Sequence, residues 1–241
     1  SRAATVQSAP MEATARAELH ATLLRMVADG LVVGSAGNAS VRLGERSLVV
    51  SAGGRPYDEL APDDHPVVDL HSGEVRGEHG GRPPTSELAL HLAVMRAFPD
   101  VQAVVHTHSP HAAGFAVARR PLEFVCNENI GAASERILVS EPYAPPGSTG
   151  LAEATVATLR REAGSRGCLR ANLGPLTVGS SLGAAYLVAQ QVEWIAQVTF
   201  VAAVVGEVHV IPSHEQDAIG RTYGFTVARA HDLPSHTEES R

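Results

Sequence analysis

Apolar and polar positions change period several times along the chain. From Glu12 to Asp29 the sequence is rich in Ala, Leu and Glu, with Leu19, Leu23 and Met26 at helical spacing and a stop at Gly30, so the pattern predicts a helix. The β-branched runs Leu48-Val49-Val50 and Val67-Val68-Asp69-Leu70, bounded by Gly, Pro and Asp, predict strands. Thr85-Ser86 can cap a helix running from Glu87 to about Phe98, where Pro99 and Asp100 end it. Val101 to His106 predicts a strand, Pro110 to Arg119 a helix, and Ile137-Leu138-Val139 a strand. Leu151 to Ala163 follows as a helix and Leu176-Thr177-Val178 as a strand. A long apolar helix is expected from Ser180 to about Val204, with Trp194 in the core, and Val208 to Ile211 as a last strand closing the sheet. Helices and strands mix without strict βαβ alternation, which favours an α/β layered domain with much antiparallel pairing.

Composition narrows this picture. With 241 residues, 44% of them hydrophobic, one domain over 1–241 is expected, its core spanning about 12–212, with frayed tails over the first ten residues and from Ala230 onward. Nineteen Lys and Arg against 26 Asp and Glu give a formal charge of -7, which argues against a general nucleic-acid binder and leaves a small-molecule partner. No run reaches membrane-spanning length without polar residues, and the N-terminus lacks an apolar signal core, so a cytoplasmic protein off the membrane is expected. Cys126 and Cys168 are too few for a disulfide framework or a CxxC zinc site.

Three strings carry candidate chemistry. His106-Thr107-His108 closes an apolar strand; residues i and i+2 share a face about 6.6 Å apart, so both imidazoles can converge on one metal. Alone, the same pair reads equally as two surface histidines at a strand end. Pro83-Pro84-Thr85-Ser86-Glu87 opens a helix, where hydroxyls and backbone N–H groups favour anions and Glu87 is favoured as a carboxylate; an ordinary N-cap reads the same way. Gly34 to Arg42 reads as a glycine-containing loop in which Asn38 and Ser40 offer neutral donors. Of the other histidines, His91 is one turn after Glu87 and reads as helix surface, His65, His71 and His79 read as solvated, and His111, near the HTH strand end but in the following helix, is a lesser candidate to replace a metal ligand.

The order of GNAS-R, SAGGRPYDEL, PPTSELALH, VVHTHSPHA and NLGPLTVG before a long helix resembles the class II aldolase/adducin family over roughly residues 12–212. The resemblance implies a three-layer α/β/α domain around a mostly antiparallel sheet, and commonly a fourfold-symmetric homotetramer with active sites between subunits. It implies that His106 and His108 are two of three metal-binding histidines, with zinc as the metal and Fe(II), Mn or Co as alternatives. It makes Glu87 the aldolase acid/base and Tyr223, in a tail that folds over a neighbouring site, a proton donor. It places Asn38, Thr85 and Ser86 on the substrate phosphate, with the Ser51-Ala52-Gly53-Gly54 loop beside them. Two departures stand out. Gly53 replaces a usual hydroxyl residue, and Leu173 stands where the family's Asn-His-Gly carries the third metal ligand.

Three functions remain open on this sequence. One is a metal-dependent carbon–carbon lyase acting on a small sugar phosphate or a hydroxy- or oxo-acid through an enediolate. Another is a non-haem Fe(II) oxygenase/decarboxylase of an aromatic 2-oxo acid, built on His106, His108 and Glu87 as two histidines and a carboxylate. The third is a catalytically impaired binding homologue.

Overall fold

Leu48 and Val50 of strand β2 (Ser47–Val50) pack into one apolar cluster while Val49 between them packs into another, so this strand alone defines two buried faces. The computed structural model describes residues 2–76, 82–162 and 164–227, with side chains from residue 11 onward. Strand β1 (Asn38–Leu43) pairs antiparallel with β2, and β2 with β3 (Val67–Asp69), which meets β4 (Val75–Arg76). On its other side β1 pairs with β5 (Ala103–His106). A short hairpin of β6 (Leu122–Glu123) and β7 (Arg136–Ile137) lies outside the main sheet. Strands β8 (Val139–Ser140), β9 (Gly167–Arg170) and β10 (Gly174–Gly179) complete an eight-stranded sheet in the order β4-β3-β2-β1-β5-β10-β9-β8. Every pairing is antiparallel except β8 with β9.

Helices cover both faces. Helix α1 (Arg2–Ala28) and helix α5 (Leu182–Val205) bury Leu19, Leu23, Met26, Ala185 and Tyr186 against Val49, Ala103 and Val105. Helix α2 (Leu88–Ala97) and helix α4 (Thr149–Arg161) bury Leu90, Val94, Ala152 and Val156 against Leu48, Val50, Val104 and Leu176. Helix α3 (Pro110–Val117) packs beside α5, and helix α6 (Ser213–Tyr223) follows at the end. The expected three-layer α/β/α domain around a mostly antiparallel sheet is the observed fold.

Several local expectations are corrected. The segment read as a loop through Arg42 enters the sheet at Asn38, because from there its backbone pairs with both β2 and β5. Residues 208–211 join no strand; Val208 to Val210 lie largely outside the core, while the Ile211 N–H donates to the Phe124 carbonyl (2.8 Å) and its carbonyl accepts from Gln216 Nε2 (2.7 Å). Helix α1 begins at Arg2, within the segment expected to fray, whereas the tail from Ala230 lies outside the described residues. Trp194, expected in the core, is 52% exposed. By length and composition α5 could cross a membrane, but one side of it is packed in the core and the other bears Leu187, Trp194, Val201 and Val205 on the surface.

Candidate active site

The strand alternation that builds the α2-facing layer also aims polar side chains at one end of it. Asn38 and Ser40 on β1 and His106 at the end of β5 share the face of Val104, and Asn38 sits opposite His106 in register. Cys168, two residues before Arg170 on β9, packs into the same layer, so Arg170 points the same way. The start of α2 lies over these strand ends and brings Glu87, its N-cap residue, down among them.

Glu87 is almost fully buried and saturated with donors. Arg170 donates from Nη1 to Oε1 (2.7 Å) and from Nη2 to Oε2 (3.3 Å), and Asn38 Nδ2 donates to Oε2 (2.8 Å). Behind Asn38 the network continues: its Oδ1 accepts from His91 Nε2 (2.6 Å), whose Nδ1 meets the Ser40 hydroxyl (2.7 Å). Because Asn38 accepts there, His91 carries its proton on Nε2 and Ser40 donates to Nδ1. His91, expected on the helix surface, is therefore wholly buried and orients Asn38. Burial holds its pKa down at about 4, so the ring is neutral.

His106 Nδ1 donates to the Pro175 carbonyl (2.9 Å), which leaves the Nε2 lone pair facing inward. That lone pair is met by Arg170 Nη2, lies 2.9 Å from His108 Nε2 and 3.4 Å from Glu87 Oε2. Burial, reinforced by the Arg170 charge, pushes His106 well below its ordinary pKa, and the same two causes lower His108. Burial alone would raise the Glu87 carboxyl; the attraction His106 would exert if protonated, that of Arg170, and the hydrogen bonds from Arg170 and Asn38 reverse this, holding it far below the carboxylate range. Since His106 is kept neutral, Arg170 is the cation that maintains this.

A cleft of about 500 Å³ opens onto Glu87 and His108 and is lined by Asn38, Gly53, Gly54, Thr85, Ser86 and Leu173, among others. The sequence-derived candidates thus assemble, with two qualifications. Ser51 is buried behind the wall, where its Oγ accepts the Ala39 N–H (3.3 Å). Tyr223 is not brought here: it is exposed at the end of α6 and lines a different cleft with Asn127, Glu128, Gln191 and Phe225. His111 bonds Glu193 Oε1 through Nδ1 (2.7 Å) and lines a different cleft with Phe115 and Phe200. His65, expected to be solvated, is fully buried and accepts the Ala52 N–H on Nδ1 (3.1 Å), anchoring the loop that carries Gly53; His71 is exposed, and His79 lies outside the described residues. Another cleft, of about 490 Å³ beside Phe98, Asp100, Arg160 and Ser180, is as large but contains none of the buried ionisable groups gathered at Glu87, so chemistry rather than volume selects the site.

Arg170 is the functional residue that the sequence reading missed. Its signal was a lone charge closing the otherwise apolar run Gly167-Cys168-Leu169 immediately before Asn172-Leu173-Gly174.

The matched family model, the class II aldolase and adducin N-terminal domain, covers residues 17–200, and the chain belongs to this family. It is an enzyme of aldolase type by that membership. It is 31% identical to a 5-deoxy-D-ribulose 1-phosphate aldolase of Bacillus thuringiensis serovar kurstaki, covering 86% of this chain and 94% of that one. A 5-methylthioribulose-1-phosphate/5-deoxyribulose-1-phosphate aldolase of Rhodospirillum rubrum is 32% identical, over 81% and 86% of the two chains. Among solved structures, an L-fuculose 1-phosphate aldolase superposes with a TM-score of 0.80 at 28% identity, covering 88% of this chain and 97% of that one.

Class II aldolases generally depend on a divalent metal, zinc above all. Two neutral imidazole nitrogens 2.9 Å apart are the beginning of such a site. The remaining surroundings do not fit one. Leu173 has no lone pair, both Glu87 oxygens are engaged, and a guanidinium already bears on the His106 lone pair that would ligate. Among the described residues, no group of three or more His, Cys, Asp or Glu side chains is placed to hold a metal ion.

Proposed function

We propose that this protein is a carbon–carbon lyase acting on a small hydroxycarbonyl compound, with a sugar phosphate as the leading substrate class. The observation that carries this reading is Glu87: a carboxylate on the floor of a ligand-sized cleft, held by Arg170 and Asn38 and supported in turn by His91 and Ser40. Aldolase relatives acting on 1-phosphates of deoxypentuloses and fuculose support the substrate class. Thr85, Ser86 and the Gly53-Gly54 loop line the same cleft, and there the phosphate would be held.

In the cleavage direction Glu87 takes the proton from the hydroxyl beta to the carbonyl. The bond between the alpha and beta carbons breaks, its electron pair moves to the carbonyl oxygen as an enediolate, and an aldehyde leaves. Glu87 then returns that proton, which is delivered to the alpha carbon and completes the second product. Paired with Arg170, Glu87 is a weak base. As negative charge builds on the substrate oxygen, the guanidinium gains a second anion to attract, its hold on Glu87 loosens, and the carboxylate gains basicity at that moment. The iron oxygenase alternative has less support, because Arg170 bears on the His106 lone pair that would have to ligate.

The test is aldehyde release from a panel of ketose 1-phosphates. Glu87→Gln should abolish it while circular dichroism stays native-like. No release by the parent protein from any phosphorylated or unphosphorylated member of the panel would reject the lyase.

The exposed apolar stripe of α5 supports a second part of the proposal, that copies of this chain associate through it, with the homotetramer as the expected assembly.

A further inference from the structure

We propose that the Arg170 guanidinium is the resident cation of this site, standing where a divalent metal would have to be, so that the site works on a fixed organic charge. The assignment deepens the lyase reading, yet it concerns which cation the protein holds and is measured without turnover.

Position is the first argument. The atoms that would coordinate an ion, His106 Nε2, His108 Nε2 and Glu87 Oε2, all lie together: 2.9 Å separates the two imidazole nitrogens and 3.4 Å separates His106 Nε2 from Oε2. Arg170 Nη2 sits within this group, donating to Oε2 and bearing on His106 Nε2. A metal and this nitrogen cannot both occupy that space.

Charge is the second. Among the buried side chains gathered here, the guanidinium of Arg170 is already paired with the carboxylate of Glu87. Adding a dication would place it against the Arg170 guanidinium, with Glu87 as the one carboxylate shared between them and Arg170 and His106 fully buried, which is unfavourable. A guanidinium also suits the geometry, because its planar fork meets the Glu87 carboxylate at two points, which an ammonium could not do.

Backbone placement is the third. Arg170 ends β9 opposite Gly174, and the chain turns between them through Asn172, held at φ 60°, and Leu173, whose N–H donates to the Arg170 carbonyl (3.0 Å). The turn that delivers an apolar side chain at 173 also delivers the cation at 170. The apolar side chain at 173 and the cation at 170 are therefore set by one turn, with three residues between Arg170 and Gly174.

The experiment compares zinc retention by the parent protein, Leu173→His and Arg170→Leu/Leu173→His. Each is stripped with chelator, given one equivalent of zinc, desalted and assayed by plasma mass spectrometry alongside a melting curve. The parent and Leu173→His should retain substoichiometric zinc, and the double variant at least about tenfold more, approaching one per chain. Adding His108→Ala to the double variant should remove that zinc, which separates this site from surface histidines. Near-stoichiometric zinc in the parent or in Leu173→His, lost on His108→Ala, would overturn the proposal, as would a folded double variant that binds none. If the double variant fails to fold, the parent and Leu173→His arms decide. Failure of aldehyde release alone would reject the lyase and leave this assignment standing.

Discussion

Arg170 and Glu87 are 83 residues apart in the chain and meet as a buried two-pronged ion pair, Nη1 to Oε1 at 2.7 Å and Nη2 to Oε2 at 3.3 Å. Such a pair stabilises less than its geometry suggests, because both charges have left water, but removing one partner strands the other. Arg170→Met is therefore expected to cost about 3–5 kcal/mol in urea unfolding. Arg170→Met combined with Glu87→Gln should recover much of that loss. Simple additivity of the two single losses would show that the charges do not depend on each other.

Gly174 has φ 153°, and a Cβ placed there would run into the Thr107 carbonyl oxygen and the His108 Cα. Gly174→Ala should therefore displace the strand end carrying His106 and His108 and destabilise the protein by roughly 3 kcal/mol or more. Thermal melts check the stability. Histidine side-chain NMR signals, compared before and after, check that the disturbance falls at this site.

Burial raises the Glu162 carboxyl to about 7, with Arg136 opposing and Glu135 adding to the shift. Below about 4.5 the group is protonated in both states; as pH rises to 7 the unfolded chain ionises first, so this contribution to stability is lost over that window. Its size is on the order of 3 kcal/mol, the shift from 4.5 to about 7 at 1.36 kcal/mol per unit. Glu162→Gln should flatten the fall in unfolding free energy between these pH values and leave the variant the more stable protein at pH 8. An unchanged slope would mean that Glu162 titrates normally.

Leu187, Trp194, Val201 and Val205 form an exposed stripe along α5. Trp194→Asp places a charge in its middle and should shift the protein to the monomer in size-exclusion chromatography with light scattering, with little change in helix content. A parent protein that already runs as a monomer would remove the stripe from the assembly.

Much of the site was legible beforehand because its parts are local. The HTH pair follows from the two-residue period of a strand, and Glu87 from the helix start marked by Pro83-Pro84-Thr85-Ser86. Layer architecture followed from the apolar periods, since Leu48, Val49 and Val50 must divide between two faces in any strand. Local pattern misled where it could not specify a neighbour. His91 on a helix and His65 in a polar stretch look alike to solvent until Asn38, Ser40 and Ala52 are placed beside them. Trp194 looks like core until the position of α5 on the outside of the sheet is known.

The sequence by itself determined the α/β class, the family, the two histidines on one strand face, the carboxylate at a helix start and the apolar residue at 173. Only the tertiary structure decided which charged side chain meets them. Whether an arginine in a short strand is a surface charge or the central cation of a site depends on which strands lie beside it. Antiparallel pairing of β9 with β10, and of β10 with β5, brings Arg170 under α2, and pairings across so many residues have no signature in any local stretch of the chain.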